Sequence, residues 1–239
     1  MKQFAILGLS QFGTDVLDEL LDMGADVLIV DRDREVIDLY KDKSVNAVAM
    51  DVMNEANLAR VLPKKLDGVV IDMGDNIEGS ILATSYCRKL GVARIFVKAV
   101  TAGHAEILDL VGATKVVFPN REAAKRVTPL LVSAGLLNYV PISGKLVIAE
   151  LAIPGRFVGK SLLEANLRRD YGINLISVKN GEDSEYGLFT PEYRFQEGDT
   201  ALVSGSDEAL SRFSDEHGKP LAESLGMTLK RLFGKKNGK

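Results

Sequence analysis

The chain has 239 residues, of which 46% are hydrophobic and 26% are charged, and its net charge at pH 7 is −3. This length allows one large domain or two small ones, and the weak negative charge excludes a general attraction to nucleic acid or to anionic lipid. The single cysteine, Cys87, excludes an internal disulfide, which fits a reducing cytosol. No apolar run reaches the ~18 residues that span a bilayer, so any membrane role must come through a partner.

The first strand-like segment, Phe4–Leu7, ends in a glycine-rich turn that precedes an amphipathic helix, Thr14–Met23. This layout is typical of a strand–turn–helix unit that binds the phosphate of a nucleotide at the helix N-terminus. Gly8 and Gly13 occupy the first and third glycine positions of the pattern G-x-G-x-x-G, whereas Ser10 occupies the second. Serine adds a Cβ and a hydroxyl where backbone approaches phosphate, so it weakens the predicted site without excluding it.

Five further strand-like runs alternate with helical patterns up to about residue 118. Strict alternation predicts right-handed βαβ units and therefore a doubly wound parallel sheet, a Rossmann-like α/β domain with its ligand at the carboxyl ends of the strands. The runs are Val27–Val30, Ala47–Ala49, Val69–Ile71, Ile95–Val97 and Val116–Phe118.

Polar residues follow several of these predicted strands, at the edge where such a ligand lies. Asp31 ends the second strand, about 20 residues beyond the glycines, where an acid accepts hydrogen bonds from a ribose. Asp51 ends the third strand, where a purine is expected, and Lys98 ends the fifth, where an ammonium can meet phosphate. Together these strand ends predict a nucleotide cleft. The lining predicted on the same grounds includes Arg32, Met73 and Gly74.

The pattern changes to shorter strands and turns after Pro141. We expect one long helix over Pro119–Val140, interrupted near Pro129 and Gly135. The expected domains are a nucleotide-binding domain over residues 1–140 and a smaller α/β domain over 141–216, followed by a solvated basic tail over 217–239. Ser161 and Glu164 have the spacing of a capping box, which favours a helix start over a P-loop. The elements predicted here are the strands Lys145–Ile153, Ile173–Val178 and Thr200–Ser204 and the helices Ser161–Leu167 and Asp207–Phe213, the last capped by Asp207.

Catalytic groups are scarce in the sequence. The histidines are His104 and His217, and no tyrosine has a lysine four residues later, so the Tyr-x-x-x-Lys pair of short-chain reductases is absent. A hydride-transfer enzyme needs a proton donor near the nicotinamide, and no Cys/His set fits a metal. A nucleotide cleft without catalytic residues favours a sensor. The alternatives are a small NAD(P)-dependent oxidoreductase and a degenerate scaffold that binds nothing.

Matches to one known family run along nearly the whole chain. The matching stretches are Phe4–Gly13, Ala25–Asp33, Val69–Asn76, Ile95–Ala99, Leu137–Tyr139, Gly159–Leu162, Arg168–Asn174 and Phe195–Ser204. In combination they resemble the cytosolic regulatory subunits of Trk/Ktr-type potassium uptake systems, which join an RCK (or KTN) N-domain to an RCK C-domain.

This resemblance implies a non-enzymatic regulatory subunit in the cytoplasm, held at the inner face of the membrane by a potassium-translocating partner. N-domains would dimerise and assemble into an octameric ring. An adenine nucleotide (ATP, ADP or NAD(H)) would occupy the N-domain cleft, and ligand exchange would change the ring and gate the membrane subunit, which requires different affinities for the two ring states. The residues that the resemblance places at the nucleotide are Gly8, Ser10, Gln11, Phe12, Gly13, Asp31, Arg32, Asp51, Val52, Met73, Gly74 and Lys98.

Two departures from the family pattern bear on the ligand. The family commonly has glycine at the position of Ser10 and often arginine at the position of Gln11, where it would neutralise phosphate charge. Many members also carry an acid for a divalent cation where this chain has Asn120, so we expect no metal site.

A segment of the C-domain resembles the cyclic di-AMP-binding C-domains of some members. On this resemblance Arg168 would contact phosphate and Asn174 an adenine edge, while Ile173 and Pro191 would make apolar contacts across a two-fold interface. The alternative is that Tyr171–Asn174 simply forms the entrance to a strand.

Overall fold

The computed structural model describes residues 2–43, 46–181, 185–187 and 189–214. The predicted tail over 217–239 lies outside these residues. By its internal contacts the chain divides into two units, Met1–Asn120 and Arg121–Lys239, and each is described by itself. In the ranges that the structure describes, no helix has both the length and the apolar character needed to cross a bilayer.

Strands and helices alternate through the first unit. The strands are β1 (Gln3–Leu7), β2 (Asp26–Asp31), β3 (Asn46–Ala49), β4 (Gly68–Ile71), β5 (Ile95–Lys98) and β6 (Lys115–Val117), and the helices are α1 (Gln11–Asp22), α2 (Arg34–Tyr40), α3 (Glu55–Val61), α4 (Ile77–Lys89) and α5 (Ala102–Val111). The six strands pair in parallel in the order β3-β2-β1-β4-β5-β6. This is the doubly wound order, whose switch point lies between β1 and β4, and it confirms the predicted fold class.

Both faces of this sheet are buried, which explains why its central strands are continuous apolar runs. Side chains of a strand alternate between the two faces. In β1, Ala5 and Leu7 pack in one core cluster with Leu108 of α5, whereas Ile6 packs in another with Leu17 of α1. Because all six strands run in the same direction, their carboxyl ends lie together at one edge of the sheet.

The second unit is built on an antiparallel sheet. Its elements are α6 (Pro119–Val132), β7 (Leu136–Ser143), β8 (Leu146–Ala152), α7 (Leu162–Ala165), β9 (Asn174–Asn180), β10 (Asp199–Gly205) and α8 (Asp207–Ser214). The strand order is β7-β8-β10-β9, with antiparallel pairing throughout. Stacked and edge-on aromatic rings fill its core, namely Phe157, Tyr171, Phe195 and Phe213.

The predicted helix over Pro119–Val140 is wrong in its second half. Helix α6 ends at Val132, and β7 then pairs with β8 along its length. Gly135 separates the two elements, and the following run is rich in branched and aromatic residues that pack well in a sheet. The predicted domain boundary at residue 140 falls inside β7, and the contacts divide the chain between Asn120 and Arg121 instead.

Two helix starts in the second unit test the predicted caps. Ser161 and Glu164 form the capping box, because the Glu164 N–H donates to the Ser161 hydroxyl at 3.2 Å and the Ser161 N–H donates to the Glu164 carboxylate at 2.7 Å. The prediction that Asp207 caps α8 is wrong. The hydroxyl of Ser206 accepts from the Ala209 N–H at 3.2 Å, and Asp207 instead accepts from the Tyr139 hydroxyl at 2.6 Å.

Candidate functional site

The carboxyl ends of β1 to β4 surround a cleft of about 250 Å³ at the switch point of the parallel sheet. It is lined by the turn after β1 and by the residues that end or follow β2, β3 and β4. A crevice at this place is where open α/β sheets bind their ligands. The sequence predicted the cleft at this edge.

Two glycines allow the backbone of the turn to pack as closely as it does. Gly8 has a φ of +88°, and a Cβ on it would lie 2.1 Å from the carbonyl oxygen of Asp72. A Cβ on Gly13 would lie 2.5 Å from the carbonyl oxygen of Gly8. The first position therefore needs glycine for both its conformation and its contact, and the third needs it to bring α1 against the turn.

Asp31 ties the end of β2 to the turn after β1. One oxygen of its carboxylate accepts from the Leu9 N–H at 2.7 Å, and the other accepts from the Asp33 N–H at 2.9 Å. The side chain lies in the cleft wall and is half-buried. Because each carboxylate oxygen has a second lone pair, Asp31 can hold the turn and still accept hydrogen bonds from a ligand hydroxyl.

A second carboxylate, Asp72, lies fully buried behind the turn. One of its oxygens accepts from the Ser10 hydroxyl at 2.5 Å and from the Gly13 N–H at 2.8 Å. The other lies 2.9 Å from the Lys98 ammonium, which also donates to the Ser10 hydroxyl at 3.1 Å. We call Ser10, Asp72, Lys98 and the Gly13 amide the Asp72 cluster.

The Asp72 cluster changes what Lys98 was predicted to do. The sequence placed its ammonium where it could meet phosphate, but in the structure that ammonium pairs with Asp72. A buried carboxylate is stable only with such partners, since the charge has lost its hydration. The Gly13 N–H belongs to the first turn of α1, so Asp72 also supplies the negative charge that a helix N-terminus attracts.

The predicted nucleotide residues separate into two groups. Gln11, Phe12, Gly13 and Lys98 stand outside the cleft lining, and the Gln11 amide donates to Asp15 at 2.8 Å on the exposed side of α1. Those that line the cleft are Gly8, Ser10, Asp31, Arg32, Asp51, Val52, Met73 and Gly74.

Sequence reasoning missed several lining residues, which are Leu9, Val30, Asp33, Val36, Met50, Asp72 and Asn76. Asp72 had a readable signal, because it is the first polar residue after the apolar run of β4. Its burial and its ion pair with Lys98 depend on the neighbouring strand, and no local pattern encodes them.

The residues predicted for cyclic di-AMP lie in the second unit. Arg168 and Asn174 are exposed and border a shallow hollow that Leu163 and Phe189 also line. Ile173 is fully buried in the core of this unit, and Pro191 lies outside the hollow. Ile173 also reaches the hollow from this core, so the structure brings three of the four predicted residues together there and leaves out Pro191.

His104 lies in the first turn of α5 and is buried. Its Nδ1 accepts from the Val100 N–H at 3.2 Å, so the ring proton lies on Nε2, which is 2.7 Å from the Ser80 hydroxyl. Burial lowers the pKa of this imidazole from its usual value of 6.5. The ring is neutral and does not line the cleft, which supports a structural role.

Comparison with known families assigns the chain. The model of the TrkA-N domain matches residues 4–119, and the model of the TrkA-C domain matches residues 146–218. The chain belongs to the TrkA family. The resemblance found in the sequence is thereby confirmed, and residues 120–145, between the two matched ranges, hold most of α6 and all of β7.

Named relatives of this family match nearly end to end. The chain is 34% identical to the Ktr system potassium uptake protein C of Bacillus subtilis, over 89% of this chain and 96% of the relative. It is 29% identical to the Ktr system potassium uptake protein A of the same organism, over 90% of this chain and 96% of the relative.

Solved structures share the fold of both domains. The GsuK channel aligns over 97% of this chain with a TM-score of 0.65 and 17% identity, and the GsuK channel bound to NAD aligns over 90% with a TM-score of 0.62 and 20% identity. The chain spans less than half the length of these channels, 44% and 40% respectively. At these identities the likeness shows a shared fold alone.

Proposed function

We propose that this protein is a nucleotide-sensing regulatory subunit of a potassium transporter. The observation that carries the proposal is the cleft at the β1/β4 switch point, where Gly8 allows the tight turn and Asp31 faces the space beside it. The names of the relatives, Ktr system potassium uptake proteins, indicate that the transported ion is potassium. The subunit lies in the cytoplasm and reaches the membrane through the translocating subunit.

The cleft suits an adenine nucleotide. Asp31 can accept hydrogen bonds from the hydroxyl groups of a ribose, and Val52 and Met73 supply apolar walls for a base. The GsuK channel, which shares this fold, has been solved with NAD bound, and this supports an adenine ligand such as NAD(H), ADP or ATP. The proposed contacts are the predicted residues that line the cleft, namely Gly8, Ser10, Asp31, Arg32, Asp51, Val52, Met73 and Gly74.

A regulatory role fits the composition of the cleft better than catalysis does. Among the described residues that line it there is no histidine, cysteine, tyrosine or lysine to transfer a proton. We therefore take the bound nucleotide as a signal. It would act through a homo-oligomeric ring, proposed as an octamer, provided that it binds two ring states with different affinities.

The hollow beside α7 is a candidate for a second ligand. Arg168 can pair with a phosphate and Asn174 can hydrogen-bond an adenine edge. Both residues border the same hollow. This observation favours cyclic di-AMP as a further regulatory ligand of the second unit.

Thermal unfolding of the purified full chain tests the proposal. NADH, ADP or ATP at millimolar concentration should raise the melting temperature, because a ligand that binds the folded state stabilises it. Asp31→Ala should abolish this shift. The ligand-induced shift is compared instead of the melting temperature itself, because the variant also loses the bonds from Leu9 and Asp33. Asp22→Ala, on the exposed end of α1, should keep the shift.

The outcomes separate the alternatives. If no adenine nucleotide changes the melting temperature, the sensing proposal fails. Turnover of NADH with a panel of carbonyl substrates would instead establish an oxidoreductase. Cyclic di-AMP belongs in the same panel, and Arg168→Ala should remove its effect alone.

A further inference from the structure

We propose that the Asp72 cluster makes the cleft select against nucleoside triphosphates and in favour of a dinucleotide, whose pyrophosphate is esterified at both ends and has no terminal phosphate. Asp72 is the residue that sets this preference. The inference rests on the proposed function, since it concerns which nucleotide the same cleft accepts.

Asp72 already holds donors that a phosphate uses in this kind of turn. The Gly13 N–H, in the first turn of α1, and the Ser10 hydroxyl both point at one oxygen of the Asp72 carboxylate, at 2.8 Å and 2.5 Å. The Leu9 N–H is bound to Asp31 at 2.7 Å. A helix N-terminus attracts one anion because its field and its free N–H groups act within the first turn. Here a protein carboxylate supplies that anion, so a highly charged ligand gains less from the helix.

Lys98 is also bound to Asp72 and therefore is not free to pair with a phosphate. Its side chain is 24% exposed, and its ammonium lies 2.9 Å from Asp72. To neutralise a terminal phosphate it would have to leave Asp72, which would then remain buried without its counter-ion. Removing one partner of a buried ion pair is strongly unfavourable. Gln11, which stands at the start of α1 and bonds Asp15, brings no charge in its place.

The rim of the cleft adds repulsion that grows with ligand charge. The carboxylates of Asp31, Asp33 and Asp51 line it, and of the described lining residues Arg32 alone is cationic. Like charges in a partly enclosed cleft repel more strongly than in bulk water. The terminal phosphate of ATP is doubly ionised, whereas each phosphate of NAD carries a single charge, because one ester bond joins it to a ribose and one anhydride bond joins it to the other phosphate. The dinucleotide therefore meets less repulsion.

Calorimetric titration of the full chain with NAD⁺, NADH, ADP and ATP tests this inference. Ionic strength is fixed and divalent cations are absent, so that ligand charge is the variable. We expect the unchanged protein to bind a dinucleotide at least about tenfold more tightly than ATP. Asp72→Asn keeps the shape and the acceptor for the Gly13 N–H but frees Lys98. It should improve the affinity for ATP relative to the dinucleotide by about tenfold or more.

Two further variants make the test specific. Asp75→Asn removes the same charge three residues along, on an exposed side chain outside the cleft lining, and should leave the ratio of affinities unchanged. The double variant Asp72→Asn with Lys98→Met removes the freed ammonium, and the gain for ATP should disappear with it.

Each result decides the inference. If the unchanged protein prefers ATP, or if Asp72→Asn leaves the ratio as it was, the selection by Asp72 is overturned while nucleotide sensing stands. If neither protein binds any adenine nucleotide, the proposed function fails and takes the inference with it. ATP binding that appears only in Asp72→Asn supports the inference directly. If the variant does not fold, the affinities of the unchanged protein for the dinucleotides and for ATP still test the inference.

Discussion

Lys98 shows how much the environment of a single residue decides its energetic role. Its ammonium is 2.9 Å from a carboxylate with no exposed surface, whereas Lys89 is equally close to Glu55 but more than half exposed. We expect Lys98→Met to lower the free energy of unfolding by about 3–5 kcal/mol, because Asp72 is left as an unpaired buried charge. Lys89→Met should cost at most about 1 kcal/mol. Urea denaturation of both variants measures the difference, and equal losses would contradict this account of the cluster.

The sequence could predict those site residues whose positions follow from local sequence patterns. Gly8 and Gly13 follow from the spacing of the turn, and Asp31 follows from the end of an apolar strand. Asp72 satisfies the same strand-end rule, yet its importance comes from its burial against α1 and its pair with Lys98. Such long-range contacts leave no periodic signal, so the pairing of Asp72 with Lys98 is visible only in the structure.

At the scale of the element, the parallel strands were predictable because both faces of the sheet are buried and the runs are continuous. Strand β7 was missed because α6, its proline and the following run read as one amphipathic stretch. Sheet formation there depends on an available partner, β8, which a local pattern does not contain. The cap of α8 was misplaced by one residue, since Ser206 and Asp207 are both good capping residues.

The start of α5 should make stability depend on pH. Its N-cap, Thr101, accepts from the His104 N–H at 3.1 Å, and the His104 ring accepts from the Val100 N–H. Burial lowers the pKa of His104 below the 6.5 expected when unfolded, so the unfolded chain binds a proton first as pH falls. Stability from this residue is complete above about pH 6.5 and is lost below it, by at most about 1.4 kcal/mol per pH unit.

Urea unfolding at pH 7.5 and 5.5 measures this loss. His104→Gln, which carries no titrating ring, should show a smaller fall between the two pH values than the unchanged protein. An equal fall in both would assign the acid sensitivity to other groups.

At the scale of the whole molecule, α6 links the two matched domains and presents apolar residues to solvent. None of its side chains is buried in the described chain, and Val127 and Leu131, four residues apart on one face, are 52% and 80% exposed. An exposed apolar helix face is unfavourable in water and typical of a contact with another protein. This fits the proposed ring, in which a second copy of the chain would cover it.

Leu131→Glu should therefore weaken the assembly, because it places a charge on that apolar face. We expect the unchanged full chain to form oligomers by light scattering coupled to size exclusion, and the variant to shift to a smaller species at the same concentration. Leu39→Glu is the matched control, since Leu39 is 74% exposed on the short helix α2 and lacks an apolar neighbour at the same helical spacing. A monomeric unchanged chain would overturn the homo-oligomeric ring, and an unshifted Leu131→Glu would move the contact away from α6.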